Sequence, residues 1–366
     1  MSHLSTAQCA GQVIVAGFGA EGPSPDLCGL ARAGQLAGFV LFRRNLRSLS
    51  EVTEQNALLR SLAPDEPPLF IALDQEGGRV ARLRAPVLEL PAARVLGAID
   101  DLGLTQAAAR ALGEQLALLG FNLDFAPVLD VDTNPLNPVI GDRSFSDDPE
   151  KVSRHAGAFA AGLAQAEVAS CGKHYPGHGD THLDSHLALP VLDHERARLE
   201  RVEFAPFAAL SGSLPSIMTA HVVFRSIDPT RPGTLSPDVI QLLRRQLGFN
   251  GVIFSDDLEM KAVSETYGVA QAACLAIEAG CDQVLICEHE AHTIGAHAAL
   301  VERAERDPVF ARRLSEAAER GRRMRMRFRP RPVVHLSEAE LTRRLIASSA
   351  PIEQRIAALR EERAVT

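Results

Sequence analysis

The feature of this sequence that most constrains its fold is a regular alternation of short apolar runs with longer amphipathic segments. Eight apolar runs occur, at residues 13–18, 38–42, 69–74, 123–129, 168–173, 216–221, 252–255 and 283–287. Segments with helical periodicity lie between them, for example at residues 49–62, 104–119, 149–166, 237–247 and 270–279. Strands that are apolar throughout are typical of a parallel sheet covered on both faces. Eight strand–helix units therefore predict an α/β fold, the (β/α)8 TIM-type barrel.

An open, doubly wound sheet is the main alternative, because it is built from the same strand–helix units. Sheets of that class often carry a glycine-rich phosphate-binding turn after the first strand. No such turn follows the run at residues 13–18, which favours the barrel.

The pattern changes after Pro330. We expect residues 1–330 to form a single barrel domain, and residues 331–366 to form a linker and a helical tail packed on it. Ser337 and Glu340 fit a capping box at the start of the tail. Pro351 is expected to divide the tail into two short helices. The basic run RRMRMR at residues 322–327 is expected to be a solvated helix face.

Composition narrows the class of protein. The chain has 366 residues, 46% of them hydrophobic and 23% charged, as in soluble globular proteins. The net charge of −8 argues against a nucleic-acid partner or an anionic membrane. No run approaches the ~18 apolar residues of a membrane span, and the N-terminus does not resemble a signal peptide. The six cysteines form no CxxC pair, so reduced thiols and a cytoplasmic location are expected. Oligomeric state stays open.

Charged or histidine side chains follow several of the apolar runs. They are Asp74 after the third run, Lys173 and His174 after the fifth, His221 after the sixth, and Asp256 and Asp257 after the seventh. In barrel enzymes the reactive groups lie at the carboxyl ends of the strands. The sequence therefore predicts an active site there, although His221 alone is more typical of a hydrogen-bonded core residue.

The densest group of reactive side chains is the segment KHYPGHGDTHLDSH at residues 173–186. Its histidines recur at every fourth position, but Pro176, Gly177 and Gly179 make a helix improbable. We interpret the segment as an active-site loop. His178, Asp180 and His182 have a spacing that can chelate Zn²⁺, so a metal-dependent hydrolase is a remote alternative.

Three further segments carry candidate site residues. DQEGGRV at residues 74–80, with Arg82 shortly after, pairs a carboxylate with glycines that let the backbone approach a ligand. NPVIGDRSF at residues 137–145 contains Arg143, a candidate clamp, although the segment by itself is more typical of a surface loop. SDDLEM at residues 255–260 places two carboxylates after a buried strand. Because consecutive strand residues point to opposite faces, we expect one to serve the site and the other to cap the next helix.

In order and spacing, three of these segments, at residues 74–79, 173–186 and 255–260, resemble glycoside hydrolase family 3. More narrowly, they resemble its β-N-acetylglucosaminidase branch, which acts in peptidoglycan recycling. The resemblance covers about residues 10–325, and Tyr175 stands where the family usually has Phe. It implies a retaining double displacement with Asp256 as nucleophile, His186 as acid/base and Asp184 orienting His186. It also implies that the sugar hydroxyls are bound by Asp74, Arg82, Arg143, Lys173 and His174. His178 and Asp180 are expected to shape the loop.

The expected function is exo-acting release of non-reducing N-acetylglucosamine from peptidoglycan-derived saccharides or muropeptides, with no cofactor and no metal. A related family 3 β-glucosidase, a variant that uses phosphate as acceptor, and a non-catalytic sugar-binding barrel are the alternatives. The natural aglycone is not predicted.

Overall fold

The structure is a computed structural model, and it describes residues 4–63, 66–182, 185, 189–332, 334 and 336–365. Its centre is a closed barrel in which each strand pairs in parallel with the next along the chain and the last pairs with the first. The barrel strands are β1 (Ile14–Ala16), β2 (Gly38–Val40), β3 (Phe70–Leu73), β4 (Leu123–Asp124), β5 (Ala169–Tyr175), β6 (Ser216–Thr219), β7 (Val252–Asp257) and β8 (Gln283–Ile286). Each falls in or overlaps one predicted apolar run, and the (β/α)8 prediction is confirmed.

Helices surround the barrel. They are α1 (Thr6–Gly11), α2 (Pro25–Arg32), α3 (Leu49–Ser61), α4 (Ala93–Ile99), α5 (Leu102–Leu118), α6 (Pro149–Gln165), α7 (Arg196–Arg201), α8 (Ala205–Leu210), α9 (Pro237–Gln241), α10 (Lys261–Tyr267), α11 (Val269–Ala279), α12 (Glu290–Arg306), α13 (Pro308–Arg327) and α14 (Glu338–Val365). No helix within the described parts of the chain is long and apolar enough to cross a membrane.

Aromatic rings fill the inside of the barrel. The ring of Phe254 makes edge-on contacts with Phe70 and Phe125, with centroids 5.8 and 5.4 Å apart. All three rings are buried. Such pairs contribute about 0.5–1.5 kcal/mol beyond the burial of their area. They close the barrel below its carboxyl end and give the site above a rigid floor.

The amino end of the barrel is closed by Arg325, and here the predicted solvated face is wrong in part. Arg325 on α13 is fully buried, and its guanidinium lies 5.7 Å from the Phe70 ring centroid. It donates to the side-chain oxygen of Gln12 and to the carbonyls of Ala37 and Pro68. The Ala37 carbonyl also accepts from the Phe70 N–H at 3.0 Å, so Arg325 adds a second donor to it.

The tail differs from its prediction in one respect. A single helix, α14, contains Pro351, where we expected two helices. Leu341 and Leu345 before Pro351, and Ile356 after it, are buried against the core. The Gln115 side chain also donates to the Leu345 carbonyl at 3.1 Å. Packing on both sides therefore outweighs the hydrogen bond that proline removes. The division between residues 1–330 and 331–366 stays a prediction.

Strand β4 is shorter than the predicted run of residues 123–129. Pro127 has no N–H to donate, so regular pairing stops and resumes only as an isolated bridge between Val128 and Lys173. Strand β5 is longer than predicted and includes both Lys173 and His174. These two shifts set the positions of several site residues.

Candidate active site

A cavity of about 310 Å³ lies at the carboxyl end of the barrel. Its apolar wall includes Phe42, Phe125 and Met218. Six predicted site residues line it: Asp74, Arg82, Arg143, Lys173, His174 and Asp256. The structure thus brings together side chains that are up to 182 positions apart (256 − 74). The other two predicted residues, Asp184 and His186, lie outside the described residues.

Five charged side chains form one network on the side of the cavity nearest β3 and β5. Lys173 Nζ donates to Asp74 Oδ1 at 2.8 Å and lies 2.6 Å from Glu76 Oε1. Arg82 Nη2 donates to Asp74 Oδ2 at 2.9 Å. Arg143 binds Glu76 through two hydrogen bonds, of 2.9 and 2.8 Å. Three cations thus surround two carboxylates. Each carboxylate is held in place by two of the cations.

The same network sets the ionisation of the two carboxyls. Burial alone would raise the pKa of Asp74, but the Lys173 ammonium and the Arg82 guanidinium hold it well below its usual range. Burial likewise opposes ionisation of Glu76, and Arg143 and Lys173 lower its pKa to about 2. Both groups are therefore anions at neutral pH and can accept hydrogen bonds from hydroxyls.

A tight turn after β3 makes this network possible. The short strands Gln75–Gly77 and Val80–Ala81 pair antiparallel, so the chain doubles back and Arg82 returns to Asp74. Gly77 has φ of 102°, and a Cβ there would lie 2.7 Å from the Pro91 carbonyl oxygen. A residue with a side chain would be strained at this position.

Asp130 is a site residue that the sequence analysis missed. Its carboxylate is fully buried and accepts from His174 Nδ1 at 2.7 Å and from the backbone N–H of His178 at 2.6 Å. Burial would raise the pKa of Asp130, but the neighbouring His174 lowers it. The bond to Nδ1 turns His174 Nε2 towards Arg143, 3.5 Å away. A charged residue directly after the apolar run 123–129 was the available signal.

His178 holds the loop together. Its Nδ1 is 2.8 Å from Thr181 Oγ1, and its Nε2 is 3.0 Å from Ser185 Oγ. Burial lowers the pKa of His178 to about 4, and the nearby His174 acts in the same direction. The ring is therefore neutral at neutral pH. Ser185 is buried, lines the cavity and stands in sequence between Asp184 and His186.

The loop at residues 137–145, together with Asn134 just before it, supports the histidine loop from the side. Asn137 Nδ2 donates to the His178 carbonyl at 2.8 Å, and Asn134 Nδ2 donates to the Thr181 carbonyl at 3.1 Å. Arg79 is bonded to Asp142 at 2.9 Å and so ties the first of these loops to the turn after β3. Neither asparagine was singled out from the sequence, because the contacts join segments far apart in the chain.

The two carboxylates after β7 have different surroundings. Asp256 Oδ1 accepts from the backbone N–H of Asp257 at 2.8 Å. Both residues line the cavity, so the expectation that only one of them serves the site stays a prediction. Asp257 Oδ1 accepts from the Glu259 N–H at 3.1 Å, and burial raises the pKa of Asp257 to about 7. Asp257 therefore caps the turn before α10; the prediction that it caps the helix itself is wrong, because Met260 is the N-cap.

His221 is a satisfied core residue, as its isolated position in the sequence suggested. Its Nε2 is 2.9 Å from the Asp257 carbonyl oxygen, and its Nδ1 is 2.8 Å from Thr234 Oγ1. The ring is fully buried. It supports the backbone next to Asp256 without lining the cavity.

A further buried carboxyl, Asp124, lies under the network. Its Oδ1 accepts from the Gln75 N–H at 2.9 Å, whereas no group in the described part of the chain hydrogen-bonds its Oδ2. Burial raises the pKa of Asp124 to about 8, helped by the charges of Asp74 and Glu76 and opposed by Lys173. This carboxyl is therefore largely protonated at neutral pH.

His178, Asp180 and His182, whose spacing in the sequence suggested a zinc site, do not converge on a common point. His178 contacts Ser185, Asp180 contacts His194, and His182 Nδ1 lies 3.1 Å from Asn134 Nδ2.

Tyr175, the departure from the family pattern, is buried and donates its hydroxyl to the Val239 carbonyl at 3.1 Å. The added hydroxyl is thus satisfied inside the core.

Comparisons with known proteins show the family to which the chain is similar. The family description "Glycosyl hydrolase family 3 N terminal domain" matches residues 26–323. A β-hexosaminidase of Alkalilimnicola ehrlichii is 42% identical over 263 residues, which are 70% of this chain and 74% of that protein.

Two solved structures are similar over most of the chain. A glycoside hydrolase family 3 β-N-acetylglucosaminidase from Paenibacillus superposes with a TM-score of 0.86 at 38% identity, covering 95% of this chain and 69% of the other. NagZ from Neisseria gonorrhoeae in complex with N-trifluoroacetyl-D-glucosamine has a TM-score of 0.71 at 33% identity, covering 84% of this chain and 98% of the other.

Proposed function

This chain belongs to glycoside hydrolase family 3, and from that premise we propose that it is a retaining exo-β-N-acetylglucosaminidase. The observation that carries the proposal is the shared cavity at the carboxyl end of the barrel. There Asp256, one of two aspartates after β7 that line the cavity, faces the same space as the charged network around Asp74 and Lys173. A nucleophile and a cluster that binds hydroxyls are the two parts that such an enzyme needs.

Asp256 is the proposed nucleophile. Its carboxylate would attack the anomeric carbon as the bond to the leaving oxygen breaks, giving a covalent glycosyl-enzyme. Water would then attack the same carbon and release the sugar with retained configuration. The hydrogen bond from the Asp257 N–H orients one carboxylate oxygen and supports this role.

His186, oriented by Asp184, is the proposed acid/base. It would give a proton to the leaving oxygen and later take one from water. Both residues lie outside the described residues, and support comes from Ser185 between them, which is buried in the cavity wall and bonded to His178. A neutral imidazole as base places no carboxylate anion beside the glycosyl-enzyme. A glycosidase that uses a second carboxylate as its base would place one there.

Asp74, Arg82, Arg143, Lys173 and His174 are proposed to hold the N-acetylglucosamine ring. Asp74 is an anion that keeps acceptor capacity beside its two cations, and Lys173 is a buried donor next to it. Their charges partly cancel, so the cluster suits a neutral polyol better than an anionic ligand. The natural substrate is proposed to be a peptidoglycan-derived saccharide or muropeptide met in the cytoplasm.

Hydrolysis of aryl glycosides tests this function. p-Nitrophenyl N-acetyl-β-glucosaminide should be cleaved with a much higher kcat/KM than the matched β-glucoside. Products formed with and without inorganic phosphate should be the same free sugar. Preference for the glucoside would indicate a β-glucosidase, and a sugar 1-phosphate would indicate phosphorolysis. Failure to cleave either substrate would favour a non-catalytic barrel.

A further inference from the structure

Outside the cavity, three metal-ligating side chains converge where the loop after β7 meets the start of α12. They are Glu259, His289 and His292. Glu259 Oε1 lies 3.0 Å from His289 Nδ1 and 2.6 Å from His292 Nδ1. The three ligand atoms lie within 4.8 Å of one another, and the two imidazole centroids are 5.2 Å apart.

Two imidazole nitrogens and one carboxylate oxygen are a ligand set that suits Zn²⁺. Tetrahedral ligands about 2.0–2.2 Å from a zinc ion are roughly 3.3 Å from each other. The observed separations of 2.6 and 3.0 Å need to widen by about 0.7 and about 0.3 Å to reach that value. In the structure both rings address the same oxygen atom, so one ion placed among the three atoms replaces two hydrogen bonds.

The carboxylate is held in place before any ion binds. The Glu259 side chain is only 8% exposed, and its oxygens accept from the backbone N–H groups of Glu288 and His289. The side chains of His289 and His292 are 65% and 48% exposed. When an ion takes Nδ1, the proton on that atom can therefore be lost to water and replaced by one on Nε2. Glu288 next in the chain adds negative charge nearby.

We propose that Glu259, His289 and His292 form a Zn²⁺ site on the rim of the barrel mouth, with a fourth position open to water. None of the three lines the cavity, so the proposed zinc site is separate from the proposed active site. A bound ion would join the loop that follows Asp256 to the first turn of α12 and so stabilise that side of the mouth. The proposal does not depend on the glycosidase activity.

Another cluster, Asp180, His194 and Glu203, has a similar spread of ligand atoms. Arg198 Nη2 binds Glu203 at 3.0 Å, which places a guanidinium beside that cluster. A cation would have to displace it. The Glu259 cluster has no guanidinium or ammonium group among its recorded ion pairs within the described residues.

The test is zinc binding by the full-length protein, measured by calorimetry after removal of metals. His289→Ala/His292→Ala should bind one Zn²⁺ fewer per chain than the wild type, and each single variant should bind that ion roughly tenfold or more weakly. His297→Ala is the matched control, because His297 lies on the same helix but bonds to the Ala7 carbonyl at 3.0 Å. It should bind zinc like the wild type.

Two further readouts separate a real site from a folding defect. Zinc should raise the thermal midpoint of the wild type and of His297→Ala but not of the double variant. Co²⁺ should give a tetrahedral visible absorption band that the double variant lacks. Equal zinc stoichiometry and affinity in the wild type and a folded double variant would overturn the proposal, as would no stoichiometric binding by the wild type.

Discussion

Two loop histidines, His178 and His186, are proposed to differ in role, and their variants should differ in kinetics. A natural sugar leaving as an alkoxide needs a proton, whereas p-nitrophenolate hardly does. His186→Ala should therefore lower kcat/KM for a disaccharide by about 10²–10⁴-fold, and should affect glycosylation by the aryl substrate much less. Added azide should partly rescue the second step, where the lost base would activate water. Steady-state kcat/KM values for the disaccharide and the aryl substrate measure this difference.

His178→Ala is the matched control for that split. His178 is neutral and braces Ser185, so its loss should depress both substrates to a similar degree. Asp184→Ala should resemble His186→Ala in a milder form, because its proposed part is orientation. An equal loss on both substrates for His186→Ala would mean that this histidine builds the site and that another group donates the proton.

Asp124 is expected to make stability depend on pH. Its pKa of about 8 in the folded protein lies above the ~3.9 of an unfolded aspartate, so the unfolded state loses its proton first. The contribution of Asp124 to the free energy of unfolding should therefore fall as pH rises between about pH 4 and about pH 8. Asp124→Asn removes this effect, and its thermal midpoint should exceed that of the wild type increasingly over that range.

Asp130→Asn is the contrasting variant. The pKa of Asp130 is lowered and its carboxylate anchors His174 and His178, so this variant should be destabilised at neutral pH. Thermal unfolding at several pH values compares the two. A midpoint difference between Asp124→Asn and the wild type that does not change with pH would contradict the raised pKa of Asp124.

At the scale of elements, apolar runs predicted all eight barrel strands because local sequence decides which residues are buried on both faces. The features that the apolar runs could not predict depend on contacts between residues far apart in the chain. Arg325 is buried where its guanidinium donates to Gln12 and to the carbonyls of Ala37 and Pro68, which are far from it in the chain. Asp130 matters because two histidines from another strand and loop bind it. Helix α14 continues through Pro351 because its flanking apolar residues pack on the barrel helices.

Helix α14 should gain stability when Pro351 is replaced. Pro351→Ala restores an N–H donor in a helix interior, where proline costs up to about 3 kcal/mol relative to alanine. Amide protection across residues 338–365 should rise in hydrogen exchange. Pro308→Ala is the control, since proline in the first turn of α13 removes no intrahelical bond. Reduced protection in Pro351→Ala would show that the proline ring packs favourably.

At the scale of the whole molecule, barrel closure places Asp74, which follows β3, and residues of β5 and β7 around one cavity. The motifs allowed these side chains to be predicted as neighbours, since all strand carboxyl ends of a barrel meet at one face. Their hydrogen bonds and pKa values could not be predicted, because these depend on which loops cover the network.

Catalysis is expected to need no metal, since carboxylates, imidazole and water suffice for the proposed steps. Activity on the aryl N-acetylglucosaminide should therefore persist in a dialysed sample containing chelator, even if the rim site loses its zinc. Activity that disappears with chelator and returns with zinc would contradict this expectation.

The most direct test of the proposed mechanism is to trap the glycosyl-enzyme. A 5-fluoro N-acetylglucosaminyl inactivator should add the mass of one sugar to the peptide that contains Asp256, and fragmentation should place it on that residue. Asp256→Ala should lose turnover by several orders of magnitude and resist labelling, whereas Asp257→Ala should be labelled and lose much less. A label on Asp257 or Glu259, or turnover of Asp256→Ala close to that of the wild type, would contradict the account.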